Sequence, residues 1–179
     1  MGTLPDDSWH DFSAIWTPYQ VKRKELITAA GKPEPYLYFV TEGVQRVFYL
    51  DGDKESTLVL TYAPSFGGVV DSFLLQQPSR YFYESLTPSK FLRADYETVQ
   101  KVMNKHPSIL RFVQQGVTQA FSGLLERMVE LQCFSSEEKF KKLLQRSPHI
   151  LTLVPHKYLA NYLGIDPTNF SKLINSVRI

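Results

Sequence analysis

The sequence predicts an α+β chain in which a β-roll comes first and helices complete it. Two changes of texture carry the prediction. Between Pro18 and Arg93, short β-rich runs alternate with turn residues; after Asp95, apolar residues recur at helical spacing. A third observation joins the halves. Leu110, Val113, Val117, Phe121, Leu124, Met128 and Leu131 form a seam close to heptad spacing, which marks one long helix.

At 179 residues the chain is long enough for one good core, or a compact domain with a small appendage. No run approaches the roughly 20 apolar residues that span a bilayer, so no membrane partner is expected. The opening MGTLPDDSWHDF lacks the basic-then-apolar order of a secretory signal. Asp6 stands where a myristoylated start carries Ser or Thr, so acylation is not expected either. The single cysteine, Cys133, cannot form an internal disulfide, which fits a reducing cytoplasm. Its apolar helical setting reads as packing. Charge is unevenly placed: residues 135–179 hold seven basic and three acidic side chains, and the rest holds 13 basic and 15 acidic. A basic tail behind an acidic body points to a polyanion partner for the tail, or simply to a solvated face.

Along the chain, Trp9, Phe12 and Trp16 predict a short amphipathic helix over residues 7–16. Six or more strand-like runs follow, with Asp51-Gly52-Asp53 as a hairpin tip, and imply a small sandwich or barrel-like roll. Pro107 suits the first turn of the long helix, where its missing N–H costs nothing. A second apolar stripe runs through Ile109, Phe112, Ala120 and Leu125, and Gly116, Ala120 and Gly123 admit a close backbone. Two apolar faces call for two partners. The roll would cover one and a second copy of the helix the other, giving a two-fold homodimer. An internal helix contacting its own domain on both sides is the alternative.

Ser135 with Glu138 forms a capping-box pattern, Pro148 and Pro155 bracket a break, and HKYLANYL reads as a helix closed by Gly164. Asp166 and Pro167 then open a last helix, PTNFSKLINSV. Ala160 is small enough for a close crossing, Gly164 suits a positive φ, and Leu159, Leu163, Ile165, Phe170, Leu173 and Ile174 supply the lock. This is the pattern of a DNA-binding helix-turn-helix. Thr168, Asn169, Ser171, Lys172 and Asn175 would face base edges and phosphates. His156 and Lys157 would meet the backbone. A hairpin used for protein contacts is the alternative, and the last residue, Ile179, leaves no room for a β-wing.

With these pieces in order, the chain from about residue 17 resembles the Crp/Fnr family of bacterial transcription regulators. The marks are KRKELITAAGKPEPYLYFVTEGVQRVFYLDGDKESTLVL, with Gly31, Gly43 and Arg46, and LANYLGIDPTNFSKL. The resemblance implies a double-stranded β-helix or jelly-roll for effector binding (1–107), a dimerisation helix (108–134) and a helix-turn-helix (135–179). It implies a homodimer on a palindromic operator in double-stranded DNA, and contact with RNA polymerase. The effector would be a cyclic nucleotide or another small anion, met by Gly67, Gly68, Val69, Arg80 and Tyr81 of FGGVVDSFLLQQPSRYFYE. Leu124 and Leu125 stand where the catabolite-activator branch touches the purine. The glutamate of that branch is replaced by Gly68 or Val69, Tyr81 takes the place of a hydroxyl residue, and the two leucines replace a polar pair. Such losses weaken cyclic-nucleotide binding by orders of magnitude. A binding module acting through protein contacts rather than DNA remains the alternative.

An enzyme is not expected. His10, His106, His149 and His156 lie far apart, and no HExxH, G-x-S-x-G or Walker pattern is present. No histidine falls between Pro18 and Arg93, which argues against a metal-binding roll. One cysteine cannot hold an iron–sulfur cluster.

Overall fold

The computed structural model describes residues 5–176. The Met1-Gly2 start considered for acylation, and Arg178 and Ile179 of the tail, lie outside the described residues. The β-rich runs become β1 (Thr17–Val21), β2 (Leu26–Thr28), β3 (Tyr36–Glu42), β4 (Val44–Asp51), β5 (Lys54–Tyr62), β6 (Ser65–Gly67), β7 (Phe82–Ser85) and β8 (Ser89–Asp95). They form two antiparallel sheets, ordered β1-β8-β3-β6 and β2-β7-β4-β5, which is the expected jelly-roll. Asp51 pairs with Lys54 across the hairpin tip, where Gly52 takes a positive φ. Gly43 turns β3 into β4 at φ +88, and a Cβ there would stand 2.5 Å from the Pro88 carbonyl. Both the backbone angle and the space demand glycine.

Helix α1 (Asp6–Ala14) comes one or two residues earlier than the aromatic spacing predicts and buries Phe12. A short helix, α2 (Val70–Leu75), interrupts the roll, and α3 (Tyr96–Lys105) leads to α4 (Pro107–Cys133). Pro107 opens α4, which is about 40 Å long by its 27 residues. Its two ends are covered and its middle is not: Ile109 is buried, Phe112 and Val113 pack beside Phe12, Val99, Val102 and Met103, and Arg127 and Glu130 are buried near the far end. Every residue from 114 to 126 is exposed. Ala120 and Leu125 of the second apolar stripe are therefore exposed. The roll's apolar end is used up by α1, α3 and two turns of α4, and the helix then runs past it.

The tail folds as α5 (Ser136–Arg146), α6 (Ile150–Leu153), α7 (His156–Leu163) and α8 (Pro167–Ser176). Both hydrogen bonds of the capping box between Ser135 and Glu138 form, which fixes the start of α5. The break between Pro148 and Pro155 holds the single turn of α6. Phe140, Leu143, Leu144, Leu159, Leu163 and Phe170 make the core of this head, and Val44 and Leu86 of the roll join it. That sharing explains β4, where five consecutive residues from Val44 to Phe48 are buried. Val47 faces the roll interior, while Val44 and Arg46 lie under the head.

Candidate functional site

The helix-turn-helix geometry is built by Gly164, Ala160 and Asp166. Gly164 adopts φ +61, the left-handed conformation that closes α7, and the Ile165 amide returns to the Ala160 carbonyl at 2.9 Å. Asp166 Oδ1 accepts from the Thr168 amide at 2.8 Å and the Asn169 amide at 3.3 Å, which starts α8. Phe170 and Leu173 turn inward, the former edge-on to Phe140. Thr168, Asn169, Ser171, Lys172 and Asn175 are exposed. His156 and Lys157 are exposed at the start of α7, with Lys157 Nζ 4.8 Å above the Tyr158 ring.

Two polar clusters not anticipated from the sequence fix this head in place. In the first, Arg46 is 1% exposed and sits between the Phe48 and Tyr158 rings, at 4.0 and 4.6 Å. It reaches Glu55 at 2.6 Å and Glu84 at 3.2 Å, and Lys24 also binds Glu84, at 2.7 Å. From α7, Asn161 accepts from the Thr57 amide at 2.6 Å and donates to the Glu55 carbonyl at 2.8 Å. Its amide thus caps the open edge of β5 as a strand residue would. In the second, Arg146 grips buried Glu130 of α4 through two 2.9 Å contacts, and Arg127 covers the Tyr162 ring while donating to its carbonyl. The readable signals were a charged residue inside a strand, Arg46, and an Arg127–Glu130 pair one helical turn apart.

The predicted effector residues divide between the packed interior of the roll and exposed surface. Tyr38, Tyr83 and Phe91 fill the roll interior, with Tyr19 and Tyr36 packed against them. Burial pushes the Tyr38 and Tyr83 hydroxyls well above the ordinary phenol range, so both stay neutral. Gly67 is buried against Tyr83, whose hydroxyl would stand 2.5 Å from an added Cβ. Gly68, at φ +107, crosses the face of Tyr38, and Val69 is buried beside them. Arg80 is exposed. Glu84 is held by Arg46 and Lys24 rather than by Arg80, and no ion pair joins Arg80 to Asp71. Tyr81 is half-buried, edge-on to Tyr49, and Leu124 and Leu125 stand exposed on α4. An open groove of about 490 Å³ lies at the joint between roll and head, beside Arg23, Pro88 and Leu153.

No protein-family model matches the chain. It is similar to the global nitrogen regulator of Synechocystis sp., 24% identical over 126 residues, which are 68% of this chain and 54% of that protein. The chain thus spans about half the length of the curated relative it matches. Among solved structures, FixK2 from Bradyrhizobium japonicum superposes with a TM-score of 0.81 at 14% identity, over 90% of this chain and 83% of that one. The c-di-GMP responsive global regulator CLP of Xanthomonas campestris gives 0.68 at 16% identity, covering 96% and 90%. A protein from Eubacterium rectale assigned to the crp/fnr family gives 0.72 at 16% identity, covering 96% and 82%. The Xanthomonas protein is described as a global regulator linked to virulence gene expression and the Eubacterium protein as a transcriptional regulator, and the shared feature here is the fold. Among the described residues, no helix is long and apolar enough to cross a membrane.

Proposed function

We propose that this chain, which has the fold of the Crp/Fnr regulators, is a DNA-binding transcription regulator whose paired copies present two α8 helices to a palindromic operator. The observation that carries the reading is the uncovered middle of α4. Thirteen consecutive residues there, 114–126, are exposed, Val117, Phe121, Leu124 and Leu125 among them, and Met128 is exposed just beyond Arg127. A second copy packed along this seam would bury it and fix the distance between the two heads. Each head offers Thr168, Asn169, Ser171 and Lys172 to the major groove, with His156 and Lys157 toward phosphates. RNA polymerase is the partner expected of an activator built this way.

On the effector side, an anion approaching the roll would meet Arg80 at its rim, with Tyr81 beside it and the 67–69 segment behind. Cyclic-nucleotide entry would require moving Tyr38 and Tyr83, which supports a roll that works without one. Leu124 and Leu125 serve the seam between copies in this reading.

The test is fluorescence anisotropy on promoter fragments across a salt series. Binding should weaken with salt, and Lys172→Ala should lower affinity and reduce the log–log slope by about 0.9 if Lys172 contacts one phosphate. Salt-independent binding would count against the DNA reading and favour a module acting through protein contacts.

A further inference from the structure

The groove at the joint takes one wall from the roll and one from the head. The roll contributes Arg23, in the turn between β1 and β2, and residues 86–88; the head contributes residues 151–156. A second hollow of about 340 Å³ continues it past Thr87, Thr152 and Leu153 to Gly43 and Tyr62. The lining is largely apolar: Val44, Leu86 and Val154 are buried along it, and Leu153 stands 40% exposed. Most polar side chains on the walls are already engaged. Thr87 Oγ1 accepts from the Val44 amide at 2.9 Å, Thr152 Oγ1 donates to the His149 carbonyl at 2.8 Å, and Glu42 pairs with Lys90.

Arg23 and His156 are the exceptions. Both are exposed, and among the described residues neither makes an ion pair. The carboxylates beside the Arg23 turn are held elsewhere: Glu25 Oε2 accepts from the Lys22 amide at 2.8 Å, and Glu84 binds Lys24 and Arg46. The turn itself is pinned to both bodies. Lys24 takes φ +66, uncommon for a residue with a side chain, and its amide donates to the Ser85 carbonyl at 2.9 Å. Ser85 Oγ donates to the Lys22 carbonyl, and Lys24 Nζ lies 4.4 Å from the centre of the Tyr158 ring of the head. The backbone on either side of Arg23 is thereby fixed at the edge of the groove.

We propose that this joint is a binding site for an amphiphilic monocarboxylate, with the acid group on Arg23 and His156 and the apolar body along Leu153 toward Tyr62. A guanidinium fork matches a carboxylate. An apolar groove that offers unpaired basic groups at one end, and a neutralised acid at the other, suits a ligand with one charged end and one tail. Such a ligand touches roll and head together, so it favours the arrangement in which both walls are present. The site lies outside the roll interior and does not depend on DNA binding by the head.

The experiment adds decanoate, below the concentration at which it forms micelles, to the full chain and follows the amide NMR spectrum. Saturable shifts are expected at Arg23, Thr87 and Leu153 and none at Tyr83 in the roll interior, with a dissociation constant on the order of 100 μM. Decanol, which keeps the tail and lacks the charge, should bind the wild type about tenfold more weakly or worse, and so should decanoate bind Arg23→Gln. Arg23 is exposed, so the variant should keep the wild-type amide positions of Val47 in β4. Decanol binding as tight as decanoate would reduce the groove to a greasy surface and overturn the proposal. Tighter binding of decyl phosphate, shifts centred on Tyr83, or no saturable shift at all would overturn it too. The decanol comparison uses the wild type alone and decides the matter even if the variant does not fold.

Discussion

The interior of the roll and the middle of α4 are both rich in apolar and aromatic residues, yet they end in opposite conditions. In the roll, Tyr38, Val40, Tyr83 and Phe91 are buried within a single chain, and the Tyr83 hydroxyl lies 3.5 Å from Thr61. On α4, Phe121 is 60% exposed and Met128 53%. A folded monomer completes the first region and leaves the second open. The contrast teaches where change can enter cheaply. Rearranging the roll means displacing close-packed rings, whereas a change in the middle of α4 meets exposed side chains.

The most forceful way to break this contrast is Phe121→Asp. A charge on the seam would be buried without a partner in the dimer and fully hydrated in the monomer. Its cost of about 3 kcal/mol or more should weaken self-association about a hundredfold or more, read by sedimentation velocity. The aromatic near-ultraviolet spectrum of the roll should not change, because Phe121 is 60% exposed and belongs to none of the core clusters. An unaltered dimer would sink the proposal that this seam joins two copies.

A sharper comparison uses one chemical change at two arginines of the roll. Arg46→Met removes a buried cation from between Phe48 and Tyr158 and strands part of Glu84. Loss of about 3 kcal/mol in urea unfolding is expected, at the low end for a broken buried pair because Lys24 still binds Glu84 and Glu55 is half in water. Arg80→Met should stay within about 0.5 kcal/mol, as an exposed side chain without an ion pair should. Equal losses at the two sites would show that the clamp on α7 contributes nothing special.

What the sequence revealed follows the range of the forces involved. Local chemistry was legible: Pro107 opening α4, the Ser135–Glu138 capping box, the Asp51-Gly52-Asp53 hairpin and the Gly164 turn each follow from a few adjacent residues. Strand count and turn spacing implied a small sandwich or barrel-like roll, and the family resemblance implied the jelly-roll. Contacts between distant segments were not legible. Asn161 meets Thr57 across 104 positions and Arg46 meets Glu84 across 38, and nothing in a single sequence couples such pairs. The second stripe of α4 misled for a geometric reason. Periodicity says that a face is apolar, but not how far a small roll extends along a 40 Å helix.

The smallest effect should come from the other end of the roll, where α1 is pinned to the start of α4. Asp11 binds Lys105 at 2.6 Å and the His106 ring at 2.7 Å, and these partners, Lys105 first, lower its carboxyl from 3.8 to about 2. A carboxyl depressed by folding contributes stability that is fully present above its unfolded value, near pH 4, and is lost as pH falls through about 2. Thermal unfolding should therefore show an acid limb between those values, and Asp11→Asn should flatten it while leaving the neutral-pH midpoint nearly unchanged. The change should be slight, because the pair is well hydrated and screened by salt. Lys105→Met should flatten the same limb, since the lowering comes chiefly from that side chain. If Asp11→Asn left the limb intact, the acid sensitivity would belong to other carboxylates, and α1 would be held by Phe12 with its ring contacts to Trp16 and Phe112 and by the Ser8–Ser108 hydrogen bond.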